Sequence, residues 1–417
     1  MKKRILIILL FVIVKVGAQT SDFSSIDRLF ENGRYQLALE KLEAIEIPSF
    51  LSNYKIAVIY ESIDNYKQTA HFLEKALHFK EDKNARLKLA KAYQRLNKSK
   101  ISINIYENLL AKDSLNLVLA YQLGKLYLKT KNHQKSIAIF KSLIKKDSIN
   151  AHYSYQLGLS YAFAKERDRM INSFIDTYKK DTAHIRVLSK LALSFFKLND
   201  KDSTYLFINK GLELAPNNES INRIKVNQLY RERKYEETIP ILLKLDSIKK
   251  MNLFNNTMLG KAYYNLDDFE KAKVRFEKVV KIDTEAYKNF TYLGHIAMKQ
   301  KKFKSAMFNY YRATATGKVK RDEEYYGLAN AYYEMKRPKM ALKFYKKAFT
   351  ENNRNYKAKF QLAKLTDDLY KDKKMGYKHY KKYKHLFLDS DKVMSAFVLK
   401  RISDIKKDYF MRGEKLE

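Results

Sequence analysis

The 417-residue sequence contains no cysteine and no tryptophan. Without cysteine the chain can form no disulfide, no thiolate metal site and no thioether link to a lipid, and it has no cysteine nucleophile. This absence is compatible with an oxidising compartment, where a stray thiol is a liability. It excludes a lipoprotein but does not by itself establish export.

Sequence motifs typical of enzymes are also missing. The eight histidines are scattered, and no His-Glu-x-x-His, glycine-rich phosphate loop or Gly-x-Ser-x-Gly occurs. His133, His152 and His295 fall in predicted helices or their turns, without further ligands at metal-binding spacing. The adjacent acids Asp267 and Asp268 lie in a predicted turn. We therefore predict no catalytic residue, no metal and no cofactor, and a protein that is not an enzyme.

Glycine and proline are scarce, with 11 and 4 residues, whereas 46% of the residues are hydrophobic. That is too little turn-forming sequence for a β-rich protein. The stretch Leu259–Thr284 predicts two amphipathic helices separated by a turn at Asp267-Asp268, which can cap the second helix. Gly260 costs about 1 kcal/mol relative to alanine inside a helix, so we expect a close helix contact there, with Ala272 as the facing residue.

The same pattern of small and aromatic residues recurs along the chain, mostly every 34 residues. The small residue of the first helix is followed three residues later by an aromatic residue in most repeats. The second helix has its own small residue, followed four residues later by an aromatic or aliphatic one. The first series of small residues is Ala57, Ala90, Gly124, Gly158, Ala192, Gly260, Gly294, Ala329 and Ala363, and the second is Ser102, Ser136, Thr204, Ala272, Ala306 and Ala341.

This 34-residue helix–turn–helix pattern resembles the tetratricopeptide repeat family. The resemblance implies an all-α fold: a right-handed α-solenoid of about eleven hairpins over residues 22–386, with a C-terminal capping helix and tail at 387–417. The chain departs from the family in lacking tryptophan and in having proline at only one repeat end, Pro216. Repeat spacing is irregular near residues 220–252, where we expect a bend or a looser joint.

Residues 1–18 have the features of a cleavable signal peptide. Lys2, Lys3 and Arg4 precede ten uninterrupted apolar residues, and Val16-Gly17-Ala18 offers a small-residue cleavage site. The apolar run is too short to span a bilayer, which takes about 20 residues. We expect export to the periplasm or cell envelope, with association to the outer membrane as one form of it.

The formal net charge is +37, with 83 basic and 46 acidic residues. Cleavage after Ala18 leaves about +33. Such a charge favours acidic proteins or peptides, anionic glycan, lipopolysaccharide or lipid as partners, and nucleic acid is the least expected of these for an exported chain. Compositional bias toward Lys, Asn, Ile and Tyr is the alternative explanation.

The family resemblance also implies where a partner binds, because the first helix of each repeat lines the concave groove. The positions that point into this groove alternate between basic and apolar character. This pattern suits an acidic peptide with apolar anchors. The predicted groove residues are Lys91, Arg95, Tyr121, Lys125, Lys129, Tyr155, Leu159, Phe163, Leu193, Lys197, Lys261, His295 and Lys299.

Two functions remain open at this point. The first is an exported scaffold that binds a protein or peptide in the groove. The second is a binder of anionic envelope glycan, lipopolysaccharide or lipid, supported by the net charge and by the lysine-rich segment 371–384. High salt should remove the second kind of binding almost entirely, but should only weaken a complex that has apolar anchors.

Overall fold

The computed structural model describes residues 23–248, 252–316 and 320–416. The predicted signal peptide lies outside these residues. Within them the chain forms twenty-three α-helices and no strand, which confirms the all-α prediction.

The described residues up to Ala215 form one compact unit of twelve helices. These are α1 (23–31), α2 (Tyr35–Glu43), α3 (Phe50–Ser62), α4 (Tyr66–Phe79), α5 (Lys83–Arg95), α6 (Ser99–Lys112), α7 (Leu117–Lys129), α8 (His133–Lys146), α9 (Ala151–Phe163), α10 (Arg167–Lys180), α11 (Ile185–Leu198) and α12 (Lys201–Leu214).

A second compact unit begins at Pro216. Its helices are α13 (Glu219–Arg231), α14 (Tyr235–Ile248), α15 (Leu253–Asn265), α16 (Phe269–Ile282), α17 (Tyr287–Lys299), α18 (Phe303–Thr316), α19 (Asp322–Glu334), α20 (Pro338–Glu351), α21 (Tyr356–Leu369), α22 (Lys374–Phe387) and α23 (Lys392–Met411). Across the described residues of both units, α1–α22 make eleven successive hairpins, as a helix-hairpin solenoid requires, and α23 follows the last one. We call the odd-numbered helix of each hairpin its first helix and the even-numbered one its second helix.

In nearly every hairpin, the turn between the two helices contains a residue with a left-handed backbone conformation. These residues follow the first helix and have φ between 57° and 63°. Cations are common among them, and a cation at a helix C-terminus is favoured by the helix dipole. The residues are Asp64, Asn97, Lys131, Lys165, Asn199, Arg233, Asp267, Lys301 and Lys336. The turn predicted at Asp267-Asp268 is confirmed, and the Asp268 side chain caps α16 by accepting from the Lys271 amide at 3.2 Å.

The small residues allow close helix packing, as the repeat pattern predicts. Ser102 Oγ donates to the Ala90 carbonyl at 2.8 Å, and Ser136 Oγ to the Gly124 carbonyl at 3.0 Å. At Gly260 an aromatic side chain also lies close: a Cβ there would be 2.7 Å from the Phe276 ring. The ring of this second-helix residue covers the glycine because it reaches back over the preceding turn.

The final helix, α23, covers the last hairpin. Its buried residues Val398, Ile402, Ile405 and Tyr409 share one hydrophobic cluster with residues of α21 and α22. The Asp367 carboxylate, 5% exposed, accepts from Arg401 Nε at 2.7 Å and so ties α23 to α21. This is the covering role that a terminal repeat of a solenoid needs.

Candidate functional site

The first-helix face, formed by the side chains at the predicted groove positions, differs along the chain. In the first unit most of these side chains are open to solvent. Lys91, Arg95, Lys125, Lys129, Phe163 and Lys197 are exposed, and Tyr121, Leu159 and Leu193 are half-buried. Tyr155 is only 7% exposed and packs against Phe174 and His184, with ring centroids 5.9 and 4.9 Å away. It therefore supports the core more than it offers surface to a partner.

The basic residues at the start of this face lie next to aromatic rings. The Arg95 guanidinium is 5.7 Å from the Tyr66 ring centroid, and Lys125 Nζ is 5.5 Å from that of Tyr121. Exposed cation–π contacts of this kind contribute about 0.5–1 kcal/mol each. They hold the cations in place without neutralising them.

The structure brings Leu159, Leu193 and Lys197 together around one cavity of about 330 Å³. Leu159 comes from α9, and Leu193 and Lys197 come from α11. Helix α10 contributes Met170 and Phe174. We call this the α9–α11 pocket. Its lining residues are Leu159, Ala162, Lys165, Arg167, Met170, Phe174, Lys190, Leu193, Ser194 and Lys197.

The α9–α11 pocket has an apolar floor and a basic rim. Its four cationic residues, Lys165, Arg167, Lys190 and Lys197, are all exposed, and no carboxylate belongs to the lining. Arg167 lies 3.5 Å from Asp168, a pair so exposed that it contributes little. Among the described residues, the three lysines form no ion pair. The rim therefore presents positive charge beside an apolar surface.

The predicted residue Phe163 lies on the same helix as Leu159 and is 59% exposed. Its ring stacks on His133, with centroids 5.7 Å apart and planes 10° from parallel. A large aromatic ring left open to solvent adds apolar surface to this face.

The corresponding face of the second unit is more closed. His295 Nε2 lies 3.1 Å from Glu323 Oε1, and the Tyr310 hydroxyl lies 2.8 Å from His295 Nδ1. In the neutral imidazole these distances make Nε2–H the donor to Glu323 and Nδ1 the acceptor from Tyr310. The hydrogen bond from His295 lowers the pKa of Glu323. Both ring nitrogens of this predicted groove residue are therefore already used.

Lys261 and Lys299 complete the predicted residues of the second unit. Lys299 is exposed, whereas Lys261 is half-buried, with Nζ 6.0 Å from the Tyr292 ring centroid. Burial, with a smaller effect of nearby Lys288, lowers the pKa of Lys261. The ring of Tyr292 is in turn stacked on Phe276 at 4.9 Å. The structure thus embeds Lys261 among aromatic side chains.

Our sequence analysis missed several pocket residues. Lys165 is a turn residue, Met170 and Phe174 belong to a second helix, and Lys190 lies two positions before the small residue of α11. The predicted groove residues occupy only three positions of each first helix. The available signal was the cluster of cations around the α9–α10 turn, which lies at the edge of the face.

The described residues contain no helix that is long and apolar enough to cross a membrane. They also contain no group of three or more His, Asp or Glu side chains placed to hold a metal ion. The α9–α11 pocket is an open feature of the first-helix face.

Successive helix hairpins with an open face of first helices define a helical repeat protein. The family comparison is more specific: two tetratricopeptide repeat models match, one at residues 87–166 and the other at 255–285 and 325–355. The matched segments are tetratricopeptide repeats, and such repeats are protein–protein interaction scaffolds.

Solved structures of repeat proteins are similar to the chain at low identity. The yeast Tom70 structure is 14% identical with a TM-score of 0.40, covering 94% of this chain and 96% of that one. The Cut9–Hcn1 hetero-tetramer structure is 12% identical with a TM-score of 0.45, covering 82% and 83%. The C-terminal part of a repeat protein from Cytophaga hutchinsonii is 18% identical with a TM-score of 0.42, covering 65% and 99%. None of the curated proteins matches the sequence significantly.

Proposed function

We propose that the chain is a non-enzymatic scaffold that binds an acidic peptide segment of a protein partner on the first-helix face of its first unit. An apolar side chain of the partner enters the α9–α11 pocket, and flanking carboxylates meet Lys165, Lys190 and Lys197. The observation that supports this proposal is the combination of an apolar floor with a rim that holds four cations and no acid. Buried apolar anchors supply affinity, and complementary charge supplies orientation and rate.

The proposal includes export. The basic and apolar segments of residues 1–18 support secretion to the periplasm or cell envelope. Mass spectrometry of the protein purified from fractionated cells tests this part. We expect a mature N-terminus at Gln19 in the envelope or periplasmic fraction. An intact Met1 in the cytoplasmic fraction would contradict it.

A peptide titration tests the pocket. The probe is a fluorescein-labelled dodecapeptide with a central Leu-Phe pair flanked on both sides by Asp and Glu. We expect Leu193→Ala to weaken its binding about tenfold, because loss of an anchor contact is worth more than 1 kcal/mol. Leu206→Ala is the matched control, since Leu206 is 48% exposed and lies on α12, outside the pocket lining. Equal affinity of the two variants and the wild type would remove the pocket from the proposal.

A second candidate function is the binding of an anionic envelope surface. Its support is the set of exposed lysines on the outside of α22, among them Lys378, Lys382 and Lys384. Their opposite side is the buried stripe of Gly376, Tyr380 and Tyr383, so the lysines are also the ordinary polar face of an amphipathic helix.

Affinity capture from an envelope extract separates the two candidates. The mature protein and its Leu193→Ala variant serve as baits at about 0.05 and 1 M salt, because screening lengths fall to about 3 Å at 1 M. The scaffold proposal expects one protein that the wild type retains at high salt and the variant does not. Recovery of anionic glycan or lipid alone, lost from both baits at high salt, would favour the second candidate.

A further inference from the structure

A cluster of cations without an acid lies where α20, α21 and α22 meet. Lys359 of α21 is 2% exposed, and its Nζ lies 2.8 Å from Nδ1 of His379 on α22. Lys359 Nζ is also 5.2 Å from the ring centroid of Phe349, and Lys382 Nζ is 5.7 Å from the same centroid. Two ammonium groups therefore lie near one aromatic ring, and one of them also contacts an imidazole.

A fourth group joins them from α20. Lys346 and Phe349 are three residues apart on α20, as are His379 and Lys382 on α22, so each pair shares one side of its helix. Among the described residues, none of the three lysines forms an ion pair. A buried ammonium without a carboxylate is costly, and its two lysine neighbours add repulsion. The fold keeps this charge although nothing within the described residues neutralises it.

The contact with Lys359 fixes the proton position on His379. An ammonium group has only hydrogens to offer, so His379 Nδ1 must accept and the ring hydrogen must be on Nε2. Burial, and then Lys359, lower the pKa of His379 to about 4, so the imidazole is neutral at pH 7. Burial and Lys382 lower the pKa of Lys359 to about 8, and no acid counteracts either shift. His379 is half-buried, and its Nε2–H is available as a donor.

We propose that the second-helix face at α20 and α22 binds a dianionic phosphate group. The exposed ammonium groups of Lys346 and Lys382 and the Nε2–H of His379 contact its oxygens, and Lys359 supplies positive charge from behind. A dianionic phosphate monoester offers acceptors only, and the three unprotonated oxygens of hydrogen phosphate are acceptors as well, which matches a site that offers donors only. Its two negative charges offset most of the positive charge of the three lysines, whereas one carboxylate would offset only a third of it. This site is on second helices of the second unit and does not depend on the peptide proposal.

An NMR titration of the full mature protein with inorganic phosphate tests the site, at constant ionic strength set with chloride. Long-range ¹H–¹⁵N spectra of the histidine rings report the tautomer and the binding together. We expect His379 in the Nε2–H form before phosphate is added, and a saturable shift of Nε2 as phosphate binds. Phenyl phosphate is the second probe: saturation by both shows a site open to phosphate monoesters on larger molecules, and saturation by inorganic phosphate alone shows a site for the free ion.

The matched variants remove two exposed charges from different places. Lys346→Gln/Lys382→Gln should weaken phosphate binding at least about tenfold, because two charge-assisted contacts are lost. Lys278→Gln/Lys281→Gln takes the same charge from exposed positions of α16, a second helix two hairpins before α20, and should leave the affinity within about twofold. An Nδ1–H tautomer, a linear non-saturating shift with both probes, or equal loss in the two variants would overturn the proposal.

Discussion

The first-helix faces of the two units share one repeat register. They differ in which side chains remain available to contact a partner. In the first unit, Leu159 and Leu193 border a cavity whose lysines have no ionic partner among the residues that the structure describes. At equivalent positions of the second unit, Lys261 is half-buried beside Tyr292, and His295 is held between Glu323 and Tyr310. Repeat position therefore decides where a side chain points, and its neighbours decide whether it is free to bind.

Phe174 and Phe276 test this difference with the largest expected effect. Each ring covers the glycine of its first helix and is at most 1% exposed, but only Phe174 lines the pocket. Phe174→Ala and Phe276→Ala should each lower the free energy of unfolding by about 3–5 kcal/mol. Denaturant unfolding measures this loss, and peptide titration below the transition measures binding. We expect only Phe174→Ala to change peptide affinity; an equal change in Phe276→Ala would mean that binding is not local to the pocket.

The basic rim gives the next largest effect. Lys190→Gln/Lys197→Gln should weaken binding of the acidic dodecapeptide about tenfold at low salt, because two charge-assisted contacts are removed. Lys261→Gln/Lys299→Gln removes the same charge from the second unit and should change affinity less than about twofold. Fluorescence anisotropy at two salt concentrations provides the measurement. If both pairs weaken binding equally, the long-range field of the chain is responsible and the pocket is not.

Much of the fold was predictable because the spacing of small and aromatic residues identifies the repeat. A small residue such as Gly158 must face a bulky one, and its 34-residue recurrence predicts hairpins before any contact is known. The aromatic side chain that covers each glycine was less predictable. A Cβ on Gly158 would lie 2.5 Å from the Phe174 ring, and a Cβ on Gly260 would lie 2.7 Å from the Phe276 ring. Which ring reaches back over a glycine depends on side-chain direction along the helix, which spacing alone does not express.

The candidate site was only partly predictable. The register identified Leu159, Leu193 and Lys197 but not Lys165, because a turn residue has no place in a helical stripe. It also placed His295 among the open residues, since the partner Glu323 is 28 residues away in sequence. Contacts between successive first helices depend on how hairpins stack. The pattern within one hairpin does not contain that information.

The pair His295 and Glu323 allows a test by pH. The pKa of Glu323 is lowered from 4.5 by its hydrogen bond with His295, so the carboxylate contributes stability above that pH and loses it as pH falls through the lowered value. Glu323→Gln should therefore flatten the acid side of the stability profile of the second unit. Unfolding midpoints between about pH 3 and 6 measure this slope. Glu334→Gln, at the end of the same helix, is the control, and the same flattening in both variants would contradict a specific role of the pair.

The turn residues Lys165 and Lys301 give the smallest effect and the sharpest contrast between the units. Both have φ near +60°, at 63° and 58°, a conformation that glycine adopts without strain. Lys165→Gly and Lys301→Gly should each raise the free energy of unfolding by up to about 1 kcal/mol. Only Lys165 lies on the rim, so Lys165→Gly should stabilise the protein and yet weaken acidic-peptide binding, whereas Lys301→Gly should stabilise it with binding unchanged. Thermal unfolding and anisotropy on the same samples measure both. Because Lys165→Gly should not destabilise the fold, a loss of affinity in this variant would come from the lost ammonium group. Unchanged binding in Lys165→Gly would remove this turn from the site.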